Sequence, residues 1–202
     1  PDASETRVMH SAVVTELTLS MDAGTNGGRL RASGTLWSGF QPNVATNAVT
    51  DGSTASNTDF NQGLFDCHAI EIATTQVTCK SFSFTISHPA ARVGFAICNS
   101  NDAEPQEYVR NRLEITGSIN VKMDDTSVAQ QAFWLAGTSK AILVGDEGTS
   151  GGGSATKIFF EFPTVKYTGH NVDLAAEEGV FIEIPWQATA TGSAKLMYLK
   201  LT

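Results

Sequence analysis

The stretch Arg112-Leu-Glu-Ile-Thr-Gly-Ser-Ile-Asn-Val-Lys-Met123 alternates more regularly than any other part of the 202-residue chain. Leu113, Ile115, Ile119, Val121 and Met123 fall on one face, and Glu114, Thr116, Ser118, Asn120 and Lys122 on the other. A period of two over about eleven residues predicts a long, half-buried strand. Gly117 interrupts the apolar face, where a residue without a side chain marks a bulge, a bend or a close backbone approach. The run ends at Asp124-Asp125. Ser127-Val-Ala-Gln130 then has the form of a capping box, Ser127 as N-cap and Gln130 reaching back. This predicts a short helix over 128–135, with Val128, Ala132 and Leu135 on its packing side and Gly137 as its stop.

Working outward, other segments repeat the two-residue period. Ala12 to Met21 and Leu30-Arg-Ala-Ser-Gly-Thr-Leu-Trp37 flank a Gly/Asn-rich turn and predict a hairpin. Strands are expected at 68–73, 77–87, 157–168, 180–190 and 194–201, with a short one at 92–97, and 141–144 is a brief apolar run. The 77–87 strand, with Phe82, Phe84 and Ile86 on one face, matches 112–123 in length, and the two are expected to pair antiparallel. Pro163 requires an edge or a bulge in its strand. Pro1 to His10 is polar, so residues 1–11 read as an N-terminal arm. Residues 41–63 form a long polar loop of the kind that is usually functional or disordered; the sharper expectation is an arm that orders against a neighbouring subunit. The whole, 1–202, reads as one all-β domain with one short helix.

Composition sets further limits. The net charge is −8 and the isoelectric point near 4.9, which argues against a face that binds nucleic acid by neutralising phosphates. No apolar run approaches the ~20 residues of a membrane span, and no secretory leader is evident. The chain opens on Pro1, which fits either a removed initiator Met or a piece of a longer protein. Cys67, Cys79 and Cys98 are odd in number and lack a CxxC. They fit reduced thiols in a protein assembled in a cytosol, with a Cys67–Cys79 bridge open as the alternative.

Chemistry is hard to find. His10, His68, His88 and His170 show no metal-ligand spacing, and no GxSxG elbow is present. Neither a metal nor a cofactor is expected, nor an enzyme. Asp124-Asp125 precedes a helix, where carboxylates favour the N-terminal dipole. The Gly/Ser-rich stretch 145–155 lacks the GK[ST] ending of a phosphate loop. Trp37, Trp134 and Trp186 are too dispersed for a sugar platform. Glu71, Glu114, Glu161 and Glu183 each sit in mid-strand opposite apolar residues, which predicts a wet, acidic sheet face.

Several phrases resemble the tail tube proteins of siphophage-type tails. They are Val14-Thr-Glu-Leu-Thr-Leu-Ser-Met-Asp-Ala-Gly24 with the 30–36 strand, Phe82-Ser-Phe-Thr-Ile-Ser87, Arg112 to Asp125 with its helix, Phe160-Glu-Phe-Pro-Thr-Val-Lys-Tyr167, and Ile182-Glu-Ile-Pro-Trp-Gln-Ala188. The resemblance covers most of 12–202 in order, departing at the N-terminus and at 41–63. It implies an antiparallel β-sandwich or barrel of the phage tail tube type, forming hexameric rings that stack into a hollow tube. Viral DNA would pass through the lumen without specific binding, and the partners would include tape measure and terminator proteins. The location implied is the virion tail, after assembly in the host cytoplasm. Glu71, Glu114, Glu161 and Glu183 become candidates for a lumen-lining acidic wall that repels DNA. The alternatives left standing are another virion ring protein, such as a tail terminator or tail tip, and an extracellular β-sandwich adhesin or sugar-binding module.

Overall fold

Strands form wherever the sequence alternates, and at several short segments where it does not. The structure, a computed structural model, describes residues 6–8, 13–24, 30–37, 43–45, 68–95, 105–146, 158–173, 180–190 and 194–201. In chain order the elements are β1 (Thr6–Val8), β2 (Val13–Asp22), β3 (Arg31–Trp37), β4 (Asn43–Ala45), β5 (His68–Ile72), β6 (Thr75–Gln76), β7 (Cys79–Ser87), β8 (Ala90–Phe95), β9 (Pro105–Arg110), β10 (Glu114–Lys122), α1 (Asp125–Leu135), β11 (Lys140–Asp146), β12 (Ile158–Tyr167), β13 (Asn171–Asp173), β14 (Phe181–Ala188) and β15 (Tyr198–Leu201). The fold is all-β and antiparallel, and α1 is the single helix among the described residues. Eleven strands make one open sheet, ordered β3-β2-β7-β10-β14-β12-β11-β5-β6, with β13 added to β14 and β15 to β12.

The expected pairing of the two long strands is present, since β7 and β10 are neighbours. At one end the Lys122 N–H donates to the Thr78 carbonyl at 2.9 Å. Further along, a Cβ built on Gly117 would stand 2.6 Å from the Ser83 carbonyl. The numbering rises on one strand as it falls on the other, so the pair is antiparallel. On the far side of β10, Thr116↔Gln187 through Lys122↔Phe181 continue the ladder into β14.

Internal contacts divide the chain into two units. The larger comprises Thr18–Ala32, Thr58–Thr85 and Glu114–Thr202. Its core takes Ile115, Ile119 and Val121 from β10, Ile182, Ile184 and Trp186 from β14, Phe82 and Phe84 from β7, and Phe160, Phe162 and Val165 from β12. Ile70 and Ile72 of β5 and Ile142 and Val144 of β11 are buried with them. Strands β7 and β12 stand three places apart in the sheet, which in a flat sheet is about 14 Å. Yet the Phe84 ring centroid lies 5.1 Å from those of Phe160 and Phe162. The sheet must therefore fold over on itself, so that β7-β10-β14 faces β12-β11-β5 across one apolar layer. Each large side chain sealed there contributes about 1.5–3 kcal/mol.

Two sequence details have their physical cause here. Gly117 is a close approach: an added Cβ would stand 2.3 Å from the Trp186 ring. Pro163 sits at a break in the ladder between β11 and β12, where the register moves from Lys140↔Val165 to Ile142↔Phe162. The missing N–H is accommodated by that bulge.

The helix departs from expectation. It begins at Asp125, ahead of Ser127, and the Val128 N–H bonds to the Asp124 carbonyl at 3.2 Å, which puts Asp124 at the N-cap. Val128 is 54% exposed and Leu135 71% exposed, so the side expected to pack faces solvent. Among the helix residues whose burial is described, the buried one is Gln130, whose Oε1 accepts a 2.7 Å hydrogen bond from the Tyr167 hydroxyl at the end of β12. Phe133 lies under the Lys140 ammonium, 3.5 Å from Nζ to ring centroid, and Trp134 stacks on His170. The helix is held by these contacts and not by an apolar stripe. The ends of the 112–123 run also differ, for Leu113 and Met123 lie outside β10 and are exposed.

The smaller unit comprises Pro1–Leu17, Ser33–Asn57 and Ile86–Leu113. Here the lower half of the expected hairpin is seen: Thr15 Oγ1 donates to the Thr35 carbonyl at 3.2 Å. Strands β8 and β9 pair from Ala90↔Arg110 to Phe95↔Pro105. The sequence placed only a short strand at 92–97 in this link, because Pro105–Arg110 has no alternation. The expected arm and loop are each partly strand: β1 pairs with β4, Thr6↔Ala45 to Val8↔Asn43. The remainder of 1–11 and of 41–63 lies outside the described residues, as do Cys67, Cys98 and His10.

Candidate functional site

With the apolar residues turned into a shared layer, alternation sends the polar residues of the larger unit to its outward faces. Glu114 of β10 and Glu183 of β14 are both exposed. Glu183 is held on both oxygens: Ser118 Oγ donates to Oε1 at 3.0 Å, and Asn171 Nδ2 donates to Oε2 at 3.3 Å. The register explains this, since Asn120, Glu183 and Asn171 form one row across β10, β14 and β13. Glu71 of β5 and Glu161 of β12 lie elsewhere. They flank Leu143 of β11 on both sides, and Glu161 also stands opposite Tyr198 of β15. Because the sheet folds over, the β10-β14 and β5-β11-β12 surfaces point away from each other. The four acids are brought together as two pairs on two faces, not as one wall.

Hydroxyls are the feature that the search for acids missed. Phe82 and Phe84 are buried, so Ser81, Ser83 and Thr85 point outward from β7. On β2, Met21 is buried and Thr18 points outward; its Oγ1 lies 2.8 Å from Thr85 Oγ1. Thr116 and Ser118 continue the same face on β10, opposite Ile115 and Ile119. The signal was legible in Ser81-Phe-Ser-Phe-Thr85 as hydroxyls at every second position. Lys122 stands at one end of this face, and Lys166 joins it across β14 in the row Thr116, Gln187, Lys166.

The remaining candidates are structural in their surroundings. His170 stacks on Trp134 with ring centroids 6.0 Å apart, and His88 Nδ1 accepts from Arg110 at 3.2 Å. The tryptophans stay dispersed, Trp186 in the core and Trp134 on the helix. Cys79 is a free thiol, and burial pushes it up from 9.0 to about 12, so it is not an activated nucleophile. Burial likewise raises the Tyr167 phenol, which donates to Gln130 as a neutral hydroxyl. Among the described residues no three His, Cys, Asp or Glu gather into a cation cage. No described helix is long and apolar enough to cross a membrane.

One end of the open sheet is β3, exposed at every position from Arg31 to Leu36. A long sheet with such an edge and with hydroxyl- and acid-bearing outward faces defines a class, the structural β-subunit. The model of the phage tail tube protein family matches residues 3–188, and the chain belongs to that family. It is a structural subunit of a bacteriophage tail tube, part of the virion tail, and assembles with other tail proteins as a multimer. No curated protein matches the chain closely enough to serve as a relative.

Proposed function

We propose that six copies of the chain close into a ring, that rings stack into a hollow tube, and that viral DNA passes through the lumen without being specifically bound. The observation that carries this is the edge of the open sheet. Strand β3 is exposed on both faces over Arg31–Leu36 and, among the described residues, pairs on one side only, with β2; an open edge of this kind is a template for another chain. A closed ring of like subunits removes such edges. Residues 1–202 act as one tail-tube subunit, with 41–63 reaching a neighbour, and tape measure and terminator proteins bound the tube after assembly in the host cytoplasm. At −8 per chain, the ring presents an acidic surface to DNA, and Glu114 with Glu183 supplies part of the lumen's charge. Glu71 and Glu161, on the other face, do not share that lumen.

Electron microscopy of the purified protein tests the assembly. Tubes with six-fold symmetry are expected. Single closed rings would favour a terminator or tail-tip role, and a persistent monomer would sink the proposal. Replacing Glu114 and Glu183 with Lys should leave tubes intact and slow genome ejection, with the defect easing as salt screens the charges.

A further inference from the structure

The two outward faces of the larger unit differ in chemistry. The face of β5, β11 and β12 carries Leu143 between Glu71 and Glu161, with Tyr198 beyond and 39% exposed. The face of β2, β7 and β10 carries Thr18, Ser81, Ser83, Thr85, Thr116 and Ser118, none of them buried. Beside the weaker hydrogen bonds that neutral side chains offer phosphates, nucleic acid adheres to protein by two strong routes, cations on phosphates and aromatic rings on bases. Those six positions supply neither. Charge on the same face is sparse and of both signs: Asp22, Glu114 and Glu183 stand against Lys122 and Lys166, the last in a row with Thr116 and Gln187, and both oxygens of Glu183 are already engaged.

From this we infer that the hydroxyl face of β2, β7 and β10 is the surface past which the polyanion moves, and that its hydroxyls, more than its carboxylates, keep it non-adhesive. The inference rests on the tube proposal and assigns a chemistry to its wall. A hydroxyl both donates and accepts, so a closely spaced array holds a continuous layer of water. It carries no charge, so it is no counter-ion to a passing phosphate, and the hydrogen bond it offers is a weak one for which water competes. Repulsion from a few carboxylates, by contrast, is largely screened beyond about 10 Å at 0.1 M salt. The face with Leu143 and Tyr198 is the one turned away from the polyanion.

The test uses assembled tubes and particles. In a background with Cys67, Cys79 and Cys98 replaced, Thr116→Cys and Tyr198→Cys variants are labelled with biotin-maleimide and then exposed to streptavidin, too large to travel down a bore. Streptavidin should decorate the Tyr198→Cys tubes along their length and leave the Thr116→Cys tubes bare between their ends. Decoration along Thr116→Cys tubes overturns the assignment of the face. In particles, the near-isosteric triple Thr18→Val, Thr85→Val, Thr116→Val should slow DNA ejection several-fold at low and high salt alike. The double Glu114→Gln, Glu183→Gln should change it less than about twofold, which corresponds to less than half a kcal/mol. The opposite ranking overturns the hydroxyl mechanism while leaving the tube intact, whereas failure of the unmodified chain to form tubes overturns the tube proposal and this inference together.

Discussion

The hydrogen atom that serves as the side chain of residue 117 is what admits the Trp186 ring to the core. An alanine there would meet ring carbons at 2.3 and 2.5 Å and the Ser83 carbonyl at 2.6 Å, so ring and backbone would both have to shift. Gly117→Ala should therefore cost about 1–3 kcal/mol, read as a lower urea midpoint; an unchanged midpoint would contradict the packing. The turn between β5 and β6 offers the opposite case. Ala73 and Thr74 hold φ of 51° and 68°, a region that suits Asn and Gly and strains a β-branched residue. Replacing the pair by Asn-Gly should raise stability by about 1 kcal/mol. Cys79 adds a pH dependence. Its folded pKa, raised to about 12 by burial, exceeds its unfolded value near 9, so its contribution is intact below pH ~9 and is lost as pH climbs toward ~12. Between about pH 8 and about pH 11, a Cys79→Ala variant should lose less stability than its parent, and equal losses would remove Cys79 as a cause.

Among the elements, α1 shows how a buried polar contact can outrank an apolar stripe. Tyr167→Phe would remove the 2.7 Å hydrogen bond to the buried Gln130, at an expected cost of about 1–3 kcal/mol. Val128→Lys and Leu135→Lys should change the stability of the free subunit by less than about 0.5 kcal/mol, because both side chains are mostly exposed. Denaturation of purified subunits compares the three directly; a larger loss from Leu135→Lys than from Tyr167→Phe would reverse the orientation of the helix. The sequence suggested the wrong side because period and propensity report which residues are apolar, whereas the partner of Gln130 lies 37 residues away. The long strands were legible, since Ile115, Ile119 and Val121 alternate without ambiguity. Strands β1, β4 and β13, at three residues each, are too short to show a period. The hydroxyls of β7 were visible too, but their meaning depended on Thr18 of β2 arriving beside Thr85.

For the whole molecule, the decisive event is the folding-over of the sheet, which separates Glu71 and Glu161 from Glu114 and Glu183. Alternation placed all four acids opposite apolar residues, and so it could not distinguish one outward face from two. Strand β4, paired to β1, sets a boundary within the 41–63 segment. Deleting 46–60 spares that ladder, so the subunit should fold with unchanged circular dichroism while tube growth is abolished; normal tubes from the deletion would remove the inter-subunit role. The placement of Trp186 has a spectroscopic corollary. Its indole is 3% exposed and 4.7 Å from the Phe162 ring, whereas Trp134 is 37% exposed. With Trp37 replaced by Phe, iodide in solution should quench the Trp134 emission and leave a blue-shifted component from Trp186, so the chain carries its own fluorophore for following the closure of the core as it happens.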